Sequence, residues 1–156
     1  MIELTDKEFA EKVQISIDRV AGYKGKQYAE MGYELIACGT ENEKSPYIEY
    51  SYVAKPEHRN NYDGLFGGTI CGVFDTCMGM GAVALTQHFV TTVDITVSFL
   101  REARGDEYVV RIDYPHVGGR IVNMNGTLTD KKTGEPVATA VSTFAVLDKE
   151  ISGLRD

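Results

Sequence analysis

The chain contains no tryptophan and only four prolines, three cysteines and three histidines among its 156 residues. Cys38, Cys71 and Cys77 are odd in number and form no CxxC pair, so neither a disulfide framework nor a zinc site is indicated. Reduced, mostly buried thiols are expected instead. His58, His88 and His116 are scattered without ligand spacing, which argues against a bound metal. Positive charge is also short: a net charge of −7 repels nucleic acid and anionic membranes in general, so a phosphate-bearing ligand must be met by a local basic cluster. No apolar stretch is read as approaching the roughly 18 to 20 residues that span a bilayer. The start, Met1-Ile2-Glu3-Leu4-Thr5-Asp6, lacks the basic-then-apolar layout of a signal peptide. A cytoplasmic protein with no membrane or nucleic-acid partner is the expectation.

What is present is ordinary for a globular chain: 43% hydrophobic and 25% charged residues. A single domain over residues 1–156 is expected, long enough to bury about two-thirds of its unfolded surface. Phe9, Val13 and Ile17 at spacings of four, with Asp6 as cap and Leu4 and Phe9 as a staple, predict an amphipathic helix over about 6–21. Strands are predicted over 33–39 and 47–54, around a turn at 41–46. A polar connection then delivers the chain to Gly67-Gly68. From there Ile70, Val73, Phe74, Cys77, Gly81, Ala84 and Leu85 fall on one stripe, the mark of a buried helix over about 67–86. After Gln87 the period changes to two, with Val93, Ile95, Val97 and Phe99 alternating against Thr92, Asp94, Thr96 and Ser98 in a half-buried strand. Three more strands are expected over 107–115, 120–130 and 136–147. The order predicts an α+β fold in which an antiparallel sheet wraps around one long central helix.

Asp75 is the anomaly in this pattern, since a carboxylate in an apolar helix costs several kcal/mol unless it has a partner or a task. It lies about 140° from the apolar stripe, on a face shared with Cys71, Gly72, Met78, Gly79 and Ala82. Two interior glycines on that face each cost roughly 1 kcal/mol relative to alanine, so something must approach closely there. A packed sheet, a subunit partner or a ligand channel all satisfy the requirement. Gly67 and Gly68 offer backbone N–H groups at the positive end of the helix, suited to an oxyanion. Gly67 is nonetheless eight residues from Asp75, roughly 12 Å along the axis. A two-fold related neighbour would remove that distance by setting one chain's Asp75 beside the other's Gly67, so a homodimer with two shared sites is expected.

The run from Asn60 to Gly68, Asn-Asn-Tyr-Asp-Gly-Leu-Phe-Gly-Gly, followed by Asp75 nine positions after Phe66, resembles the signature of the hotdog-fold acyl-CoA thioesterases. The segments 92–101, 103–106 and Gly119-Arg120, with the closing strand through Phe144, resemble its PaaI-like branch, related to 4-hydroxybenzoyl-CoA thioesterases. The likeness runs from about Asn60 to Leu147. It implies the hotdog fold, hydrolysis of an acyl-CoA to free acid and CoA, and no cofactor beyond the CoA of the substrate. It further implies that Asp75 is general base or nucleophile, that the Gly67 N–H polarises the carbonyl, that Thr92 positions water and that Asn60 holds substrate or water. Two positions depart from the family pattern. Its Gly three before Phe66 falls on Asp63, with Gly64 one place late, so Asn61 is an alternative to Asn60; and Phe66 stands where many members carry His.

Further substrate-binding candidates are Phe66, Gly68 and the cations Arg101, Arg104 and Arg120, which are either the basic cluster for CoA phosphates or solvated strand ends. Tyr62, Phe66, Phe89 and Tyr114 either line an acyl pocket or fill core. Two other functions stand beside hydrolysis: a hotdog hydratase or dehydratase, which would need a histidine near Asp75, and a non-catalytic acyl-CoA-binding domain. A dimer that pairs again into a tetramer is left open.

Overall fold

The computed structural model describes residues 3–40 and 45–152, so most of the expected turn at 41–46 lies outside the described residues. Helix α1 spans Asp6–Ala21, a 3-10 turn follows at Gln27–Met31, and strands β1 (Glu34–Gly39) and β2 (Tyr47–Val53) form a hairpin. A second 3-10 turn, Pro56–His58, leads to helix α2 (Gly67–Thr86). Strands β3 (His88–Phe99), β4 (Glu107–Val117), β5 (Ile121–Asp130) and β6 (Pro136–Glu150) complete the order. All strand pairs are antiparallel, in the sheet order β1-β2-β4-β5-β6-β3. This is the hotdog arrangement: one sheet curled around a central helix.

Thr5, not Asp6, caps α1. Its Oγ1 accepts from the Glu8 N–H at 3.2 Å while Glu8 Oε2 accepts from the Thr5 N–H at 2.8 Å, a reciprocal capping box. Asp6 is the first helical residue, and its carboxylate accepts from the Thr40 N–H at 2.6 Å, tying the start of α1 to the end of β1. Phe9, Val13 and Ile17 are buried against the core.

Contrary to the sequence reading, α2 is long and apolar enough, at 20 residues, to cross a membrane. The sheet encloses it instead: Ile70, Val73, Phe74, Cys77, Ala84 and Leu85 are all buried. Met78 and Ala82, expected on the Asp75 face, are buried too.

With no tryptophan, much of the aromatic volume of the core comes from tyrosine, and a buried tyrosine needs a partner for its hydroxyl. Tyr50 donates to the Cys77 carbonyl and Tyr114 to the Met78 carbonyl, both at 3.0 Å. Tyr52 pairs with His58 Nδ1 at 2.6 Å, and Tyr108 donates to the Gly105 carbonyl at 3.0 Å. Tyr114 therefore belongs to the core. It also explains Gly81, because a Cβ there would meet the Tyr114 hydroxyl head on.

Strand β3 departs from strict alternation. Its register against β6 shifts between Thr92 and Asp94: Thr92 pairs with Phe144, Asp94 with Thr143 and Ile95 with Ser142. Val93 is the extra residue of a β-bulge. Thr92 thus shares the helix-facing side with Ile95, Val97 and Phe99, rather than the outer side with Asp94. β3 is also a sheet edge, and Val93 and Phe99 are 61% and 55% exposed where a half-buried strand was expected. Among the described residues β3 pairs on one side only, with β6.

Candidate active site

The bulge turns Thr92 toward α2, and its Oγ1 donates to Asp75 Oδ1 at 2.5 Å. Asp75 is half-buried and Thr92 is exposed. Both line a cavity of about 520 Å³ bounded by α1, the 3-10 turn at 27–31, α2 and the start of β3. Its walls are mainly apolar, with Val20, Met31, Met80, Val83, Phe89 and Phe144 among them. A carboxylate held by a hydroxyl at the wall of an apolar cavity of this size has the form of a small-molecule site.

The two glycines of the Asp75 face separate into two tasks. A Cβ on Gly79 would stand 3.3 Å from the Phe144 ring, so Gly79 serves helix–sheet packing. A Cβ on Gly72 would meet nothing within 4 Å, and Gly72 borders the cavity. Gly72 keeps room beside Asp75.

Gly67 is not in this cavity. With Asn60, Tyr62, Phe99 and Arg101 it lines a second recess of about 330 Å³ at the N-terminal end of α2. Asn60 shapes that recess from the loop: its Oδ1 accepts from the Tyr62 N–H at 2.9 Å and the Gly64 N–H at 3.2 Å. Asp63 takes a left-handed conformation, φ 63°, which aspartate tolerates better than most residues. That is the backbone conformation a glycine at this position would favour. Asn61 is exposed and lies outside the lining of both cavities. Phe66, 58% exposed, also lines neither cavity; its ring lies over Gly68, where a Cβ would come within 2.6 Å of it. Gly68 itself borders the main cavity.

The three candidate arginines do not converge within one protomer. Arg101 donates to the Pro136 carbonyl at 2.5 Å, and Arg104 bridges Glu102 at 2.9 Å with both side chains mostly exposed. The Arg120 carbonyl accepts from the Val146 N–H, whereas the Arg101 N–H reaches Val137, so nine residues of β6, roughly 30 Å, separate them. Two other cations were not foreseen: Arg19 lines the main cavity 5.8 Å from the centre of the Phe89 ring, and Lys149 lies 5.1 Å from the same ring. Their signal in the sequence, one arginine in an amphipathic helix and one lysine near the end of a strand, is indistinguishable from solvated charge.

No histidine reaches Asp75 by hydrogen bond among the described residues. His58 Nδ1 engages Tyr52 and the Lys55 N–H, and burial lowers its pKa; His88 Nδ1 engages the Thr86 carbonyl. Cys77 is buried, which pushes its thiol pKa well up and leaves it inert. No group of three or more His, Cys, Asp or Glu is placed to hold a metal ion among the described residues.

The thioesterase superfamily model matches residues 62–137. Over that segment the chain resembles the thioesterase superfamily. The matched segment contains Gly67, Asp75, Thr92 and Arg101, while Asn60 and all of α1 lie before it. No curated protein sequence matches the chain. Among solved structures, the chain is similar to the Escherichia coli PaaI protein of the phenylacetic acid degradation operon, with TM-score 0.75, 13% identity, and 96% of this chain and 100% of that chain covered. A thioesterase family protein from Silicibacter pomeroyi gives TM-score 0.71 at 22% identity over 89% of this chain and 98% of that one. The smu.793 protein of Streptococcus mutans, bound to acetyl-CoA, gives 0.67 at 18% identity over 83% and 98%. At these identities the structural likeness establishes the hotdog fold, and the superfamily match supports thioester chemistry at the family level.

Proposed function

We propose that this protein hydrolyses an acyl-CoA to the free carboxylic acid and CoA. The observation that carries the reading is the 2.5 Å Thr92–Asp75 hydrogen bond at the wall of the apolar cavity. Thr92 donates its proton to Oδ1, which leaves Oδ2 of the carboxylate to act and leaves lone pairs on Thr92 Oγ1 to accept from a water. Asp75 removes a proton from that water as the oxygen attacks the thioester carbonyl; the tetrahedral intermediate then collapses, the C–S bond breaks and the CoA sulfur takes the proton. Direct attack by Asp75, through a mixed anhydride that water then opens, uses the same geometry. The smu.793 protein with its bound acetyl-CoA supports a CoA-type ligand for a fold of this shape.

In this reading the oxyanion donor is the Gly67 N–H of a neighbouring subunit. Three observations support a two-chain site: Gly67 and Asn60 lie in a different recess from Asp75, β3 is an edge of the sheet among the described residues, and Val93 and Phe99 on that edge are exposed. The hydratase alternative is disfavoured by the engagement of His58 and His88 elsewhere.

Thiol release from acyl-CoAs of graded chain length, compared between wild type and Asp75→Asn, tests the proposal. Turnover that falls by about 10³-fold in the variant is expected for a general base. Micromolar binding with no turnover at any chain length would make the protein an acyl-CoA-binding domain.

A further inference from the structure

Arg19 is the only cation, and Asp75 the only acid, among the described residues that line the main cavity. They do not meet. From Thr92, the partner of Asp75, three residues of β3 lead back to Phe89, roughly 10 Å, and the Arg19 guanidinium lies 5.8 Å from the centre of that ring. Along α2 the same wall runs from Asp75 through Gly79 and Met80 to Val83, eight residues or about 12 Å. The carboxylate and the cation of the cavity thus stand about one medium acyl chain apart.

This cation has no anion of its own. Arg59, Arg104, Arg111 and Lys131 each bridge a carboxylate, whereas Arg19 and Lys149 bridge none among the described residues, in a chain with 23 acidic and 16 basic side chains. Of the N–H donors of Arg19, only Nη1 makes a hydrogen bond among the described residues, a long one to the Ser152 carbonyl at 3.4 Å. A cation in the last turn of α1 suits the helix dipole, but a side chain extended into water would serve that as well. Arg19 instead is half-buried over Phe89, and Lys149 adds a second positive charge 5.1 Å from the centre of the same ring. Bringing two like charges to one ring is unfavourable, and a bound anion would offset it.

We propose that Arg19, assisted by Lys149, binds the terminal carboxylate of a dicarboxylic acyl group, so that the cavity takes ω-carboxyacyl-CoA thioesters in preference to plain fatty acyl-CoAs. For the thioester end of the ligand this rests on the thioesterase reading; for the other end it rests on the unpaired cations. Between the two ends the wall is apolar, with Val20, Met80 and Val83, which fits a run of methylenes and not the amide-bearing arm of CoA. The carboxylate accepts from the forked N–H groups of the guanidinium, an arrangement an ammonium does not reproduce. With carbon–carbon bonds of about 1.5 Å set in a zigzag, a chain of roughly eight carbons spans the gap from a thioester carbonyl at Asp75 to Arg19.

The test measures kcat/KM for suberyl-CoA against octanoyl-CoA, and for succinyl-CoA against butyryl-CoA, in wild type, Arg19→Met, Arg19→Lys and Lys149→Met. Calorimetric binding of two non-hydrolysable thioethers, 7-carboxyheptyl-CoA and octyl-CoA, runs in parallel. Suberyl-CoA should exceed octanoyl-CoA by about tenfold in the wild type, as a charge-assisted hydrogen bond at a half-buried site allows. The four-carbon pair should show no such preference, because its carboxylate stops short of Arg19. Arg19→Met keeps the aliphatic stem of the side chain and should bring the suberyl-to-octanoyl ratio close to one, while Arg19→Lys should retain part of it. Lys149 is exposed, so Lys149→Met should lower the ratio by only about threefold. Each ratio is taken within one variant, so a loss of folded protein cancels. A ratio untouched by Arg19→Met would overturn the proposal, whether both rates hold or both fall as they would if Arg19 met the phosphates of CoA. An equal preference in the four-carbon pair would overturn it too. Thiol release with no preference for suberyl-CoA sinks this specificity and leaves the thioesterase intact. An Arg19-dependent preference between the two thioethers, with no thiol release from any acyl-CoA, does the reverse.

Discussion

Replacing Thr92 by valine keeps the shape and β-propensity of the side chain and removes only the hydroxyl that meets Asp75 at 2.5 Å. A hydrogen bond to a charged group contributes about 1.5–3 kcal/mol. Thr92 is exposed and Asp75 only half-buried, so water replaces part of the lost bond and the lower end of that range applies. If the bond holds the carboxylate for chemistry, about 1.4 kcal/mol of barrier is lost and kcat falls roughly tenfold. KM should move less than twofold, because the acyl group is held by the apolar walls and not by Thr92. Thr92→Ser, which restores the donor, should recover most of the rate.

Initial rates of thiol release at saturating and limiting acyl-CoA, with a urea midpoint for each variant, separate the effect from misfolding. A Thr92→Val enzyme at wild-type kcat would refute the reasoning, and so would Thr92→Ser behaving like Thr92→Val. A rise in KM with kcat preserved would move Thr92 from positioning the carboxylate to binding substrate.

Three further outcomes are expected. Burial lowers the pKa of His58, so below its ordinary value of about 6.5 the unfolded chain takes up the proton first; stability, full above that pH, should fall as pH drops toward the lowered value, and a urea-midpoint series from pH 8 to 5 should show a slope that His58→Gln flattens. Gly81→Ala should destabilise by about 1–3 kcal/mol because its Cβ meets Tyr114, whereas Gly72→Ala, facing open space, should stabilise by about 0.5–1 kcal/mol while narrowing the cavity beside Asp75 and slowing turnover; calorimetric melting and the thiol assay check both signs. Mixing Asp75→Ala with a Gly67→Pro variant, each inactive as a homodimer, should restore part of the activity in heterodimers, and none would place both groups in one chain.

Periodicity exposed most of the fold. The seven-residue stripe from Ile70 to Leu85 is buried along α2, and the strands observed at His88–Phe99, Glu107–Val117 and Pro136–Glu150 each contain the segment expected from apolar alternation and turn residues. Such patterns survive because burial acts on every turn of a helix and every second residue of a strand. Errors fell where one atom decides. Asp6 looks as good a cap as Thr5 until the Glu8 side chain is seen returning to Thr5. A membrane-length helix and a core helix have the same composition, and only the enclosing sheet separates them. Asp63 in the left-handed region could not be foreseen, since its conformation is fixed by the Asn60 hydrogen bonds around it.

The most consequential of these errors concerns Thr92. Strict alternation puts it on the outer face with Asp94, and no interaction with Asp75 would then be possible. One extra residue at Val93 reverses the side chain without changing composition, hydropathy or strand length. Local sequence carries little trace of a bulge, because the unpaired residue is set by the register of the partner strand, here Thr143 and Phe144 of β6. The functional pair therefore depends on three elements at once: the buried stripe that orients α2, the bulge that orients Thr92, and β6, which fixes the bulge. Deleting Val93 should then be tolerated where a change at Thr92 is not. It would make Thr92 and Asp94 consecutive opposite Phe144 and Thr143, the partners they already have, so Thr92 keeps facing α2 and thiol release should stay close to wild type; a loss as large as that of Thr92→Val would show that the bulge does more than set the phase of the strand.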